Sequence, residues 1–111
     1  MDLFTPVKLG SLELRNRIIM APMTRSRAGA EGMPTDVMVD YYRQRASAGL
    51  LISEGIAPSA DGLGYCRTPG IYNAAQVDAW RAVTDAVHDQ GGCMVAQIMH
   101  VGRVGNTLNK P

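Results

Sequence analysis

Polar side chains follow three short apolar segments of the sequence, at the points where strands would end. Thr24 follows the first segment, Ser53 and Glu54 end the second, and Gln97 follows the third. A hydroxyl and a carboxamide both donate and accept hydrogen bonds, so together they suit the polar edge of a neutral heterocycle. A metal ion would instead need clustered Asp, His or Cys side chains. Local backbone capping explains each residue singly, but three such positions on one rim favour a ligand site.

The three apolar segments predict parallel strands that are buried on both faces. They cover residues 17–21, 50–55 and 93–97, and each contains a continuous apolar run rather than an alternating pattern. Pro22 ends the first strand because proline has no N–H to give to a ladder. The carboxyl ends of parallel strands lie at one edge of a sheet, so we expect the polar residues there to converge.

Two amphipathic helices are predicted between these strands. The first has Thr35 as its N-cap and Gly49 as the residue that stops it. The second is capped by Asn73, with Gln76 three residues on as in a capping box, and ends at two glycines. The predicted buried faces are Met38, Tyr41, Tyr42, Arg45 and Ala46 in the first helix and Val77, Trp80, Val83 and Val87 in the second.

The order of elements is a hairpin over residues 7–14, with a turn at Gly10-Ser11, followed by strand, helix, strand, helix and strand. Such an order predicts a parallel α/β sheet with right-handed crossovers. A doubly wound sheet and a (β/α)₈ barrel both fit this order. A complete barrel needs about 250 residues, and three strands cannot close one. The third strand would also leave an unpaired apolar edge. The chain is therefore either a small open sheet or the first part of a longer protein.

The composition and charge of the chain argue against several classes of protein. Hydrophobic residues make up 46% of the chain and charged residues 19%, which is typical of a folded protein. The net charge of +1, without a basic stripe, argues against nucleic acid as a partner. The apolar runs are far short of a membrane span, and no signal peptide is recognised, so we expect a cytoplasmic protein. Cys66 and Cys93 are interpreted as free thiols, Cys93 in a strand core and Cys66 in a loop.

Three further features have weaker interpretations. Residues 62–67 begin like a dinucleotide-binding fingerprint, but Arg67 stands in place of the third glycine and the segment lies within a loop. His100 follows the third strand; we interpret it as a hydrogen-bonded structural residue, with a position facing the rim as the alternative. Arg25 and Arg27 are interpreted as solvated loop residues, with phosphate binding as the alternative.

Several segments, in the same order along the chain, resemble the Old Yellow Enzyme family of flavin-dependent ene-reductases. The most specific are NRIIMAPMTR at 16–25, YYRQRASAGL at 41–50 and QIMHVGR at 97–103. The others are residues 9–12, 52–54, 64–65 and 69–71. The resemblance runs from Leu3 to about Arg103. It implies a (β/α)₈ barrel that holds FMN at its carboxyl rim, with the hairpin plugging the bottom. Residues 1–111 would then be the N-terminal part of a single FMN-binding domain, with the first three barrel strands.

The resemblance also implies an activity and a set of FMN-binding residues. The family reduces FMN with NADPH or NADH and passes hydride to the C=C bond of activated alkenes such as α,β-unsaturated carbonyls. By position, the backbone of Pro22 and Met23 would lie against the flavin. Thr24 would hydrogen-bond its carbonyl edge, Gly55 would approach through its backbone, and Gln97 would recognise the pyrimidine portion. The protein would thus orient and tune a cofactor that carries the redox chemistry.

Tyr65 and Met99 are the substrate-pocket residues that the resemblance implies. Many family members have Trp where this chain has Met99, so a smaller and softer side chain is expected to reshape the pocket. Many have Ala where this chain has Gly55, which is expected to loosen the backbone there. Thr24, rather than Cys, is similar to the Thr-containing branch of the family.

The family's catalytic residues are expected downstream of this chain. Neither the His-His or His-Asn pair that holds the substrate carbonyl, nor the Tyr proton donor, nor the phosphate-binding arginines fall within the matched segments. We therefore expect no catalytic residue here, no metal, and a remainder of the barrel supplied in cis or by a second chain, with the oligomeric state left open. The alternative is an inert barrel fragment or interaction module that needs a complementing chain. An iron–sulfur relative is disfavoured because the chain has only two cysteines.

Overall fold

The computed structural model describes residues 2–111 and contains five strands and two α-helices within them. In chain order they are β1 (Val7–Leu9), β2 (Leu12–Leu14), β3 (Ile19–Met20), α1 (Asp36–Arg43), β4 (Leu50–Ile56), α2 (Ala74–Asp89) and β5 (Met94–Ile98). Single 3₁₀ turns occur at Ala30–Gly32, Ala60–Gly62, Gly102–Val104 and Thr107–Asn109. The predicted order of hairpin, strand, helix, strand, helix and strand is confirmed.

The strands form two separate sheets. β1 and β2 pair antiparallel, with Val7 opposite Leu14, and Gly10 turns the hairpin at a φ of +60° that L side chains rarely adopt. β3, β4 and β5 form a parallel sheet in that order. A bulge between Ile52 and Gly55 shifts the β4–β5 register. The predicted hairpin and parallel sheet are both confirmed.

Burial on both faces is confirmed for β4 but is wrong for β3 and β5. β4 is buried along almost its whole length. By contrast, Ile19 in β3 is 46% exposed and Ile98 in β5 is 55% exposed. Among residues 2–111, each of these two strands pairs with a neighbour on one side only, so its outer edge has no partner strand there. Cys93, predicted in a strand core, precedes β5 and is half-buried, while Cys66 is exposed as predicted.

Helix α1 ends earlier than its sequence predicts. It follows Thr35 but stops at Arg43, and the next residues form turns. Thr35 occupies the N-cap position as predicted, but its side chain makes no capping hydrogen bond. Its hydroxyl donates instead to the Arg27 carbonyl at 2.8 Å. Gly49 does not stop the helix either. Instead, a Cβ at Gly49 would overlap the carbonyl oxygen of Asn16, so the glycine allows two backbones to approach.

Helix α2 begins as predicted but buries a different residue in its first turn. The Asn73 side chain accepts a hydrogen bond from the Gln76 N–H at 2.9 Å. The Gln76 side chain is fully buried. Its carboxamide is satisfied there, since it accepts from the Tyr72 N–H and donates to the Glu31 carbonyl, both at 2.8 Å. The predicted burial of Val77 is therefore wrong, and this side chain is 39% exposed.

The core lies between the parallel sheet and the two helices. Each fully buried apolar side chain here stabilises the fold by roughly 1.5–3 kcal/mol. Trp80 also donates its ring N–H to the Gly70 carbonyl at 3.0 Å, which ties α2 to the preceding loop. The core residues are Ala28, Met38, Tyr42, Ala46, Leu51, Ile56, Trp80, Val83 and Val87. Among residues 2–111, no helix is long and apolar enough to cross a membrane.

Candidate functional site

Gly55 and Gln97 face each other across the β4–β5 ladder, at the carboxyl end of the sheet. They are register partners just after the β4 bulge. The Gln97 N–H donates to the Ser53 hydroxyl at 3.0 Å, so the backbone here is fixed. The Gln97 residue itself is exposed, and its carboxamide enters no hydrogen bond with residues 2–111. The structure therefore places a glycine backbone and a carboxamide side by side at this end of the sheet.

Met99 packs directly over Gly55. A Cβ built on Gly55 would lie 2.7 Å from the Met99 Cε, 2.9 Å from its Sδ and 3.0 Å from its Cβ. The Met99 N–H donates to the Ile56 carbonyl at 2.9 Å, which fixes the methionine next to the strand end. The Met99 thioether therefore occupies the space that a side chain on Gly55 would need.

The segment that carries Pro22, Met23 and Thr24 leaves the same end of the sheet. It follows β3, which runs parallel to β4, so it emerges on the side where Gly55 and Gln97 lie. Thr24 is exposed, and within residues 2–111 its hydroxyl enters no hydrogen bond. Pro22 is half-buried. Met23 is 43% exposed and borders a groove between the β3 segment and the turns that follow α1. This groove has a volume of about 480 Å³ and is also lined by Phe4, Ile18, Met20 and Ala48.

Ser53 and Glu54 do not belong to this exposed rim, so their predicted place beside Thr24 and Gln97 is wrong. Both are fully buried. The Ser53 hydroxyl donates to the Glu54 carbonyl at 2.8 Å while accepting from the Gln97 N–H. The Tyr42 hydroxyl donates to Glu54 Oε2 and accepts from the Glu54 N–H, both at 2.8 Å. Internal hydrogen bonds therefore direct both side chains away from the rim.

The pair of Tyr42 and Glu54 is the feature of this region that the sequence did not reveal. Burial raises the pKa of the Glu54 carboxyl, while the Tyr42 hydroxyl and the backbone N–H and charge of Arg25 act to lower it. Burial also raises the pKa of the Tyr42 hydroxyl well above its usual range. Two sequence features could have indicated this pair: a glutamate inside an apolar strand and a tyrosine on the buried face of the preceding helix.

Tyr65 lies on the long loop between β4 and α2 and is 42% exposed. It borders a cavity of about 240 Å³ whose other lining residues include Cys66, Arg67 and Lys110. Met99 is not part of that lining. The two residues predicted for a substrate pocket therefore have different immediate neighbours within this chain.

The remaining polar candidates have internal partners. His100 Nδ1 accepts from the Gly102 N–H at 3.0 Å, and its Nε2 lies 3.6 Å from Asp61 Oδ1. The Ser59 hydroxyl and His100 lower the pKa of that exposed Asp61 carboxyl. Arg27 donates to the Ser26 carbonyl of its own loop at 3.0 Å. The interpretation of His100 as a hydrogen-bonded structural histidine agrees with these contacts.

The exposed groups at the end of the sheet fit the flavin that the resemblance implies. They are neutral donors and acceptors, Thr24 and Gln97, with the glycine backbone at Gly55 between them in the strand order. Within residues 2–111, no three side chains of the types that bind metal ions lie together. A flat ring with a polar edge matches this set of groups, since it needs backbone approach on its face and hydrogen bonds at its rim.

The amino-acid sequence is similar to a known protein family and to several of its characterised members. The profile of the "NADH:flavin oxidoreductase / NADH oxidase family" matches residues 2–110. The chain is 53% identical over 106 residues to chanoclavine-I aldehyde reductase fgaOx3 of Penicillium roqueforti, covering 94% of this chain and 29% of that protein. It is 46% identical over 110 residues to 12-oxophytodienoate reductase 7 of Oryza sativa subsp. japonica, covering 98% and 28%. The chain thus spans less than a third of the length of these relatives.

Solved structures of similar proteins superimpose on this chain over almost its whole length. The old yellow enzyme homologue from Zymomonas mobilis superimposes with a TM-score of 0.91 at 50% identity, over 95% of this chain and 30% of that one. Morphinone reductase in complex with tetrahydroNAD superimposes with a TM-score of 0.91 at 51% identity, over 98% and 30%.

Proposed function

The chain belongs to the NADH:flavin oxidoreductase / NADH oxidase family, and from this we propose that it supplies part of the FMN site of an ene-reductase. The family's cofactors are FMN and NADH or NADPH. The substrate of that ene-reductase would be an activated alkene, such as an α,β-unsaturated carbonyl compound, reduced at its C=C bond with NADPH or NADH as the reductant. FMN, when bound, supplies the hydride-transfer chemistry, and the residues of this chain bind and orient it.

The fold of the chain is the first part of a (β/α)₈ barrel, with three of the barrel strands. The chain covers about 30% of its solved relatives. We propose that the remaining strands are supplied in cis or by a second chain. We propose that the groups that hold the substrate carbonyl, donate a proton and bind the FMN phosphate lie on that remainder. We use "completed barrel" for this chain together with its complement. The part of the Zymomonas mobilis homologue that this chain does not cover serves as a surrogate complement.

Each residue of the proposed FMN site has a distinct task. The Thr24 hydroxyl donates to the carbonyl edge of the flavin, which favours the more electron-rich reduced form. The Gln97 carboxamide can pair with both a donor and an acceptor, which suits the pyrimidine portion. The backbones of Pro22, Met23 and Gly55 allow close approach to the ring. Tyr65 and Met99 contact the substrate in this proposal, and Met99 reaches that position because it packs over Gly55.

The observation that carries the proposal is the pairing of Gly55 with Gln97, whose exposed carboxamide enters no internal hydrogen bond of the described chain. A carboxamide placed on a fixed backbone, beside a glycine, at the carboxyl edge of a parallel sheet has the geometry of a binding group. The exposed Thr24 hydroxyl at the same edge adds a second donor.

A Gln97→Ala variant of the completed barrel tests this proposal. We expect the affinity for FMN to fall by roughly 1–3 kcal/mol, because a polar group of the bound ring loses its partner. Fluorescence titration of the apoprotein with FMN measures the change. Gln90→Ala is the matched control, since Gln90 is an exposed residue at the end of α2 and its side chain should not affect FMN. Equal affinities in wild type and Gln97→Ala would remove Gln97 from the site.

An interaction module without chemistry is the second candidate. The exposed apolar residues of β3 and β5, Ile19 and Ile98, favour it because they need a covering partner whether or not FMN binds. The two candidates differ in flavin content. A completed barrel that folds, as judged by circular dichroism, but binds no FMN would support the module and contradict the reductase.

A further inference from the structure

The buried pair of Tyr42 and Glu54 joins helix α1 to strand β4 behind the proposed FMN site. Its two hydrogen bonds, both 2.8 Å long, use the donor and one acceptor site of the tyrosine hydroxyl. Tyr42 is 0% exposed and Glu54 is 1% exposed. A glutamate in this position is costly for the fold, because a carboxylate loses its hydration on burial. An apolar residue would fill the same place without that cost, so the pair calls for a further explanation.

One oxygen of this carboxyl is buried without a hydrogen-bond partner among the described residues. That atom is Glu54 Oε1. On the neighbouring loop, the charge of Arg25 acts to lower the pKa of this carboxyl. Arg25 follows Thr24 directly. The residue whose charge acts on the buried carboxyl is therefore the chain neighbour of the proposed donor to the flavin edge.

The hydrogen bonds around Glu54 also reach the other two proposed FMN positions. Glu54 precedes Gly55 in β4. Ser53 accepts from the Gln97 N–H at 3.0 Å and donates to the Glu54 carbonyl at 2.8 Å, so it links the two strands. Thr24, Gly55 and Gln97 are thus each adjacent to, or bonded by, one buried network. The side chains of Tyr42, Ser53 and Glu54, which form the hydrogen bonds of this network, are all buried.

We propose that Tyr42 and Glu54 are positioning residues, which fix the relative placement of Thr24, Gly55 and Gln97 and thereby set the reduction potential of bound FMN. This inference rests on the proposed function. The pair does not touch the flavin. It acts through the backbone of residues 24–25, through Gly55 and, by way of Ser53, through Gln97. A hydrogen bond to a flavin edge is sensitive to its length and angle, so small displacements of Thr24 or Gln97 change the balance between oxidised and reduced flavin.

The test uses Tyr42→Phe and Glu54→Gln in the FMN-loaded completed barrel. We expect each variant to shift the equilibrium between oxidised and reduced FMN about tenfold, which is about 30 mV for a two-electron couple. The double variant should shift it no further than the larger single change, because the two residues act as one unit. Spectroelectrochemical titration measures the midpoint potential, and the visible absorption bands of the flavin report its environment. Tyr41→Phe is the matched control, since Tyr41 is the adjacent tyrosine but is not part of the pair.

Unchanged potential and unchanged flavin absorption in both variants, with only a lower melting temperature, would show a purely structural pair and overturn the inference. If these variants do not fold, Ser53→Ala makes the same test with the loss of one hydroxyl. An unchanged potential in Ser53→Ala would overturn the inference equally. A wild-type completed barrel that folds without binding FMN would overturn the proposed function and this inference together, whereas flavin bound at an unchanged potential overturns the inference alone.

Discussion

Met99 occupies the space that a side chain on Gly55 would fill. The built Cβ meets three atoms of Met99 at 3.0 Å or less, and one of them is the methionine Cβ, which moves only with its backbone. A methyl group at this position would therefore push the thioether away from β4. If Met99 lines the substrate pocket as proposed, the identity of residue 55 controls the shape of that pocket without touching the substrate.

A double-mutant cycle measures this coupling. Gly55→Ala should change the relative kcat/KM of the completed barrel for small and bulky enones, because Met99 must move. Met99→Ala should largely remove the effect of Gly55→Ala, with a coupling energy of about 0.5–3 kcal/mol. The measurement is kcat/KM for a panel of cyclic enones with all four proteins. Additive effects of the two substitutions would contradict the shared volume.

Glu54 gives a pH dependence of stability whose sign can be stated. Its pKa in the folded protein lies above the ordinary value of 4.5, chiefly because of burial, with Tyr42 and Arg25 opposing the rise. The folded state therefore binds the proton more tightly than the unfolded state, so this group stabilises most below its ordinary pKa. That contribution is lost as the pH rises through the raised value.

The difference in unfolding free energy between wild type and Glu54→Gln isolates this effect. We expect the difference to become less favourable to wild type as the pH rises from about 4 to about 8, because glutamine does not ionise. Urea unfolding of both completed barrels at several pH values makes the comparison. A constant difference, or one that grows more favourable to wild type with pH, would contradict the direction of the shift.

At the scale of elements, helix α2 depends on its N-cap. The Asn73 side chain accepts from the Gln76 N–H, and Gln76 in turn binds Tyr72 and Glu31, so the cap and the loop before it form one hydrogen-bonded unit. Asn73→Ala should lower the unfolding free energy by about 0.5–2 kcal/mol. Asp78→Ala on the exposed face of the same helix is the control, since its ion pair with Arg81 is at the surface. A loss no larger than that of the control, in urea unfolding, would argue against the cap.

The sequence predicted these elements well where local chemistry decides them. The Gly10 turn, the Asn73 cap and the apolar run of β4 all depend on neighbouring residues, and all are confirmed. The end of α1 and the burial of Val77 were wrong. Both depend on partners far along the chain, since Gly49 lies against Asn16 and Gln76 binds Glu31.

The candidate site also has parts that the sequence predicts and parts that depend on distant contacts. Parallel topology was enough to predict that Gln97 lies at the carboxyl end of the sheet, whereas the resemblance was needed to single out Gly55, its register partner. The inward turn of Ser53 and Glu54 was not predictable, because it follows from the β4 bulge and from Tyr42 on another element. The open edge of the third strand was predicted, but the exposure of the faces of β3 and β5 was missed. An apolar strand pattern records the burial that a strand has in its complete fold, and these two strands lack neighbours on one side here.

At the scale of the whole molecule, the exposed apolar strand faces and the greater length of the relatives both indicate an incomplete barrel. Ile19, Val95 and Ile98 are all exposed, and the chain covers about 30% of its solved relatives. Both observations agree with a barrel that is finished by other strands. The FMN-facing groups proposed here recognise the ring, whereas the phosphate needs cationic groups that we place on the complement.

Titration of FMN into the purified chain, alone and with its complement, tests the central claim most directly. The account predicts stoichiometric binding with quenched flavin fluorescence in the completed barrel, weaker binding when Gln97 is replaced by alanine, and no tight binding by the 111-residue chain alone. Tight, stoichiometric binding by the isolated chain, or binding in the completed barrel that ignores Gln97, would contradict it.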